Sequence, residues 1–280
     1  MHLVIISTAL AAAFWIRQVT NIQGSWNRRW RQALFFFLFP PLLVFSTALA
    51  LLCMGTQGRM GIWQTGCISY LLAFCSLFAF VIMLLKLAYG GFLSIQSTRK
   101  YPLILLENQP VRLLNTQAMF AGQIGFWHPQ LVISEGLLQN LSPAHLETVL
   151  AHEQGHYYYR DTFWFFWLGW IRECTAWLPN SATLWSELLL LRELRADACA
   201  ALQVDPLLLA ESLLIVVSNQ TVSSEVLCAA LGSSSHGDRL EQRIEALLTI
   251  PKSSSVQFDH QYWHYFLFAL LPLVTVLFHQ

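Results

Sequence analysis

Two long apolar runs, 33–54 and 66–89, limit what this chain can fold into more than any other feature. A hydrocarbon layer of about 30 Å takes about 20 residues of helix to cross, and each run is long enough. Inside such a layer every backbone polar group must be satisfied within the segment, so both runs read as membrane-spanning helices. The composition agrees. Charged residues make up 11% and hydrophobic residues 55% of the chain, whereas charged residues are about a quarter of a soluble domain. Two shorter runs, 3–16 and 263–278, are marginal spans that tilt or flanking residues would extend. The first carries Ala9-Leu10-Ala11, loosely like a signal-peptide cleavage site, but no Lys or Arg precedes it and Arg17 follows it. About four spans are therefore expected, in a mainly α membrane protein.

Charge sets the expected topology. The loop 17–32 carries Arg17, Arg28, Arg29 and Arg31, the loop 55–65 only Arg59, and Lys86, Arg99 and Lys100 come at and after the third run. By the positive-inside rule, the basic loop and the long middle region face the cytoplasm and both termini lie outside. Trp26 and Trp30 suit an interfacial belt beside those arginines. The formal net charge is zero, and no direct nucleic-acid partner is expected. Cys53, Cys67, Cys75, Cys174, Cys199 and Cys228 form no C-x-x-C pair and read as packing residues. The expected organisation is a three-span region 1–90, a cytoplasmic α+β domain 91–259 and a C-terminal span within 260–280.

The middle region carries the chemistry. Its residues 115–134 contain Gly122, Gly125 and Pro129 before Leu131-Val132-Ile133, which reads as a hairpin leading into a buried or edge strand. Ser142-Pro143 then starts a helix of about 17 residues, with Ser as cap and Pro at the first position. On it lies His152-Glu153-Gln154-Gly155-His156. Residues four apart share a helix face, so both imidazoles can reach one ion. Glu153 is rotated by one residue and is placed to take a proton from water. Zinc hydrolases commonly use three protein ligands, and the third candidate is Glu193, on a second helix expected over about 183–202. Asp197 lies one turn further on the same face, where it would accept the outer N–H of a ligating histidine. The bland alternative for this pair is a solvated face with Arg192 and Arg195 as partners. His128 and His145 read as structural.

His152-Glu153-x-x-His156 with Glu193-x-x-Ala196-Asp197 resembles the gluzincin pattern of two integral-membrane peptidase families. One is typified by the beta-lactam receptors BlaR and MecR, the other by HtpX-type heat-shock proteases and CAAX prenyl proteases. Residues 131–138 before Leu141-Ser142-Pro143 resemble the strand-to-helix approach common to both families, while the segment 239–248 and the arrangement of spans resemble the BlaR/MecR type. The resemblance implies zinc bound by His152, His156 and Glu193, Glu153 as general base, Asp197 behind a histidine, and a bacterial inner-membrane location with a cytoplasmic site. It also implies that Leu131, Val132 and Ile133 would pair with an extended substrate, and that Arg243 or His236 would stabilise the oxyanion. No sequence resembling the penicillin-binding sensor follows the last run, so beta-lactam sensing is not expected. The partners expected are the bilayer and a protein or peptide substrate, either a cytoplasmic transcriptional repressor or damaged membrane protein. A non-catalytic membrane scaffold with a structural zinc is the reading from another class.

One stretch, 163–178, is almost apolar enough for a fifth span. Crossing there would put His156 and Glu193 on opposite sides of the membrane. Phe163 to Trp177 is therefore expected to pack against the spans or lie in the interface, with a buried core helix as the alternative.

Overall fold

The computed structural model describes residues 2–55, 66–106, 109–220, 236–249 and 260–278. They form two compact units. One comprises 1–87, 168–188 and 256–280, the other 88–167 and 189–255.

The first unit is helical. Helix α1 (His2–Gln18) lies against α2 (Trp26–Met54), and α3 (Gly66–Thr98) follows. Trp26–Met54 and Cys67–Thr98 are long and apolar enough to cross a bilayer. The third apolar run thus continues nine residues past its expected end at Tyr89, as far as Thr98. Helix α1 has 17 residues. Residues 260–278 wind as 3₁₀ and α turns in succession, where a single helix was expected over 263–278.

Pro40 and Pro41 sit inside α2. A proline has no N–H, so Pro41 leaves the carbonyl of Phe37 without its helical donor. The fully buried Arg17 fills that vacancy, donating from Nη2 to Phe37 O at 3.1 Å and from Nη1 to Ser181 Oγ at 3.1 Å. Arg17 thus has a structural task in addition to the topological one read from its charge. Within the aromatic stretch, Trp170 lies against the two long helices: its Nε1 donates to Phe80 O at 2.9 Å and its ring meets Phe45 edge-on.

The second unit is α+β. Strands β1 (Leu103–Leu106), β2 (Gln109–Leu114), β3 (Ala121–Ile124) and β4 (Gln130–Ser134) make a sheet in the order β1-β2-β4-β3, with β2 parallel to β4 and the other pairs antiparallel. Leu131, Val132 and Ile133 are buried at consecutive positions, as an interior strand with both faces covered requires. This corrects one expectation. Strand β4 is hydrogen-bonded to β2 on one side and β3 on the other, so Leu131, Val132 and Ile133 have no free edge to offer a substrate. The edge strands are β1 and β3, and β3 is the one whose Gln123 reaches the carbonyl of Glu153 on the helix that follows. Phe120 O accepts from Ser134 N, so the alternation of an antiparallel ladder turns the backbone groups of Ala121 and Gln123 off the sheet.

Ser134 caps the short helix α4 (Glu135–Asn140), accepting from Leu137 N. Ser142 caps α5 (Pro143–Tyr158), with Pro143 at its first position as expected from the sequence. Leu146, Val149 and Leu150 of α5 pack on a core of Val111, Met119, Ile133, Leu137 and Leu141. Helix α6 (Asp161–Cys174) has 14 residues and α7 is Ser181–Ala200. Helix α8 (Pro206–Gln220) is tied to α5 by the buried Thr148 Oγ1–Ser212 Oγ bond of 2.6 Å. Helix α9 (His236–Thr249) completes the unit.

Gly136 fixes the start of α4. Its N–H donates to Thr116 O at 2.9 Å, and a Cβ at this position would lie 2.1 Å from Gln117 O. A backbone oxygen cannot swing aside as a side chain can. Gly136→Ala should therefore destabilise the protein by about 1–3 kcal/mol, read as a lower unfolding midpoint. Gly90→Ala is the control, since no atom lies within 4 Å of the added carbon; equal midpoints for the two variants would refute the argument.

Candidate metal centre

The centre is made where α5 crosses α7. A Cβ on Gly155 would lie 3.1 Å from both Cα and O of Ala196, so the two helices approach through their smallest residues. The close approach places one face of α7 over the histidine face of α5. Glu193 and Asp197, one turn apart, both lie on it.

Three donor atoms converge there. His152 Nε2 and His156 Nε2 are 3.1 Å apart, and Glu193 Oε2 lies 3.4 Å from the first and 3.6 Å from the second. Among the described residues, these three are the group of side chains able to hold a metal ion. A tetrahedral zinc ion with bonds of about 2.0–2.1 Å sets its ligand atoms about 3.3 Å apart, and the three separations bracket that value. The donor set of two imidazoles and one carboxylate also suits zinc.

Each ligand is held from behind. His152 Nδ1 lies 2.8 Å from Asp197 Oδ1. Arg243 grips that aspartate with two donors, Nε at 2.7 Å and Nη2 at 2.8 Å. His156 Nδ1 lies 2.7 Å from Asp161 Oδ2, and the other oxygen of Asp161 accepts from Arg195. Arg192 holds Glu193 Oε1 at 2.7 and 3.0 Å, which leaves Oε2 facing the histidines. The Asp161 carboxylate bonded to Nδ1 of His156 sets the tautomer that points its Nε2 inward, and the Asp197 carboxylate lies beside Nδ1 of His152.

The electrostatics favour a cation at that point. Burial alone would raise Glu193, but Arg192 and the two histidines hold its carboxyl well below the usual range. Burial likewise opposes charge on His156, yet Glu193, Asp161 and Glu153 together push it up to about 10. His152 is raised by Asp197 and Glu193 against the same burial. The carboxylates around the histidines thus create a negative field that a proton or a metal ion can occupy.

Glu153 is buried and stands apart from these clamps. Its backbone carbonyl accepts from Gln123 Nε2 of the edge strand at 3.4 Å. Its carboxylate has neither a hydrogen bond nor an ion pair among the described residues. It nevertheless adds to the field at His156 and Arg243.

His152, Glu153, His156, Glu193 and Asp197 therefore meet in one place. Arg243 also reaches it: two of its nitrogens are engaged by Asp197 and Nη1 faces Glu193 Oε2 at 3.5 Å. The side chain of His236 lies outside the described residues. His145 is distant from the centre in function: its Nδ1 meets Ser142 Oγ at 2.7 Å, at the start of α5.

Asp161, Arg195 and Arg192 were missed as site residues. Arg192 and Arg195 flank Glu193 on one helix, so spacing offered a signal for those two, whereas Asp161 lies past the turn that ends α5. From the sequence, Arg192 and Arg195 read only as partners of a solvated face. Arg195 is instead buried, with its guanidinium 4.2 Å from the ring centre of Tyr159.

Residues 106–184 match the sequence profile of Peptidase family M48. The match contains His152, Glu153, His156 and Asp161 and ends before Glu193. Peptidases of that family are typically zinc-dependent, which agrees with the donor set. No curated protein and no solved structure matches the chain.

Proposed function

We propose that this chain is a membrane-anchored zinc endopeptidase that cleaves cytoplasmic or membrane-proximal protein. The observation carrying the proposal is the convergence of His152, His156 and Glu193 beside an untethered Glu153. A structural zinc site is usually closed by four protein ligands, whereas a catalytic one keeps a position open. The three donors here favour the catalytic kind.

Zinc bound there would supply Lewis acidity, lowering the pKa of a water to about 7 and polarising a scissile carbonyl. The remaining work belongs to the chain. Asp197 and Asp161 hold the imidazoles in the required tautomer, with Arg243 and Arg195 fixing the aspartates. Glu153 takes the proton from the attacking water and delivers it to the leaving amine. Its freedom from clamps suits a group that must serve two positions in turn. An extended substrate would add to the outer edge of β3 and pair with Ala121 and Gln123, next to α5.

The four-span arrangement and the cytoplasmic catalytic unit are part of this proposal, supported by two bilayer-length helices and the distribution of arginines. Cleavage of a transcriptional repressor is the narrower form of the substrate assignment, and removal of damaged membrane protein is its rival. Comparing protein termini in cells carrying active or Glu153→Ala chain separates them.

Zinc removal tests the reading directly. Chelation should abolish cleavage of an unfolded protein substrate, and added zinc should restore it. Full cleavage by protein that elemental analysis shows to be zinc-free would overturn the proposal.

A further inference from the structure

The face of α5 opposite the histidines borders a cavity of about 460 Å³. Gln154, Tyr157 and Tyr158 line it from α5, Trp127 and His128 from the β3–β4 hairpin, and Arg160 from the turn before α6. Among the described residues no carboxylate lines it, and the fixed charge they place in it is the Arg160 guanidinium. Arg160 itself is exposed and has no acidic partner among the described residues.

The rim is unusual for a surface that meets water. Trp127 is 67% and Tyr158 73% exposed, and Tyr157 and the nearby Trp164 are more than half exposed. Beneath them the Phe126 ring packs against Phe163 and Phe166, each at 4.9 Å, so the rim rests on a firm aromatic base. Trp and Tyr with an apolar body and a polar tip are the side chains favoured at the headgroup level of a bilayer. Arginine is the cation best shaped for a phosphate diester.

The backbone at Arg160 gives a separate indication. Its φ is +52°, in the left-handed region, at the end of α5 where glycine or asparagine is usual. A β-carbon carries a cost there, and a side chain kept at that cost is a pointer to use.

We propose that this cavity receives the headgroup of an anionic phospholipid, with Trp127, Tyr157 and Tyr158 seated among the headgroups around it. The lipid phosphate would pair with Arg160, and the tyrosine hydroxyls and Gln154 would supply further donors. The proposal commits to a lipid because the charge is cationic, the rim is aromatic and the chain carries two bilayer-length helices. It is independent of the peptidase reading.

The test uses the full chain with Tyr158→p-benzoylphenylalanine, in nanodiscs of equimolar phosphatidylglycerol and phosphatidylcholine. Irradiation followed by mass spectrometry should give phosphatidylglycerol adducts in excess of phosphatidylcholine adducts by about fivefold, the factor expected of one arginine at an anionic surface. Adding Arg160→Gly should bring the ratio close to one without lowering the unfolding midpoint, since glycine suits that backbone. Arg160→Gln, which keeps a side chain without the charge, should do the same to the ratio. Absence of lipid adducts, an equal ratio in the parent, or a ratio that neither variant moves would overturn the proposal. So would loss of the lipid adducts on adding inorganic phosphate, which would make the cavity a site for the free ion.

Discussion

Glu153→Ala is expected to bind zinc as the parent chain does and to cleave peptide about 10²–10⁴-fold more slowly, the usual contribution of a positioned general base. The two halves of that result come from different features of the site. In the proposed site zinc would be held by His152, His156 and Glu193, whose donor atoms form a near-equilateral triangle without help from Glu153. Catalysis needs a group that can accept and return a proton, and among the described residues Glu153 is the buried carboxylate that no arginine holds. Metal analysis and initial rates on one preparation measure both quantities. A parental rate in the variant would remove Glu153 from the reaction, and loss of zinc would show that it belongs to the binding set.

Asp161→Ala should produce the largest combined loss of stability and metal affinity. Asp161 and Arg195 are both buried and paired, and removing the aspartate takes that carboxylate from the guanidinium. Breaking a buried pair from one side costs about 3–5 kcal/mol. The same substitution frees Nδ1 of His156, and losing such an orienting partner weakens metal binding by about 10–100-fold. The milder Asp161→Asn keeps the shape and one acceptor oxygen, so it should remain folded while still weakening zinc. Thermal unfolding and competitive zinc titration report the two effects separately. Unchanged zinc affinity in the folded asparagine variant would show that Asp161 serves only Arg195.

The contrast between these two residues shows where the sequence was readable. Glu153 belongs to a five-residue pattern within one helix, and the helical period alone places it beside two histidines. Asp161 lies beyond the end of α5, past a turn that includes the left-handed Arg160. No simple period carries across such a turn, so its direction toward His156 depends on how α6 leaves it. Glu193 and Asp197 were legible for the same reason as the histidines, being one turn apart on a single helix. Arg243 was legible only as a cation, because its partner Asp197 is 46 positions away in the chain.

The sheet divides the same way. Consecutive apolar residues at 131–133 marked a buried or edge strand, and they form one. Whether that strand lay at an edge was beyond reach, because strand order depends on pairing between distant segments. Here β2 docks in parallel on β4 and leaves β3 outermost. By itself, then, the sequence determined the two long apolar helices, the shared face of His152 and His156, and the shared face of Glu193 and Asp197. All of these follow from interactions a few residues apart or from the cost of exposing backbone to lipid. Only the tertiary structure decided that α5 and α7 touch through Gly155 and Ala196, that Asp161 rather than a more distant acid backs His156, and that β3 rather than β4 lies at an edge. Those outcomes depend on packing between segments far apart in sequence, where no local period reaches.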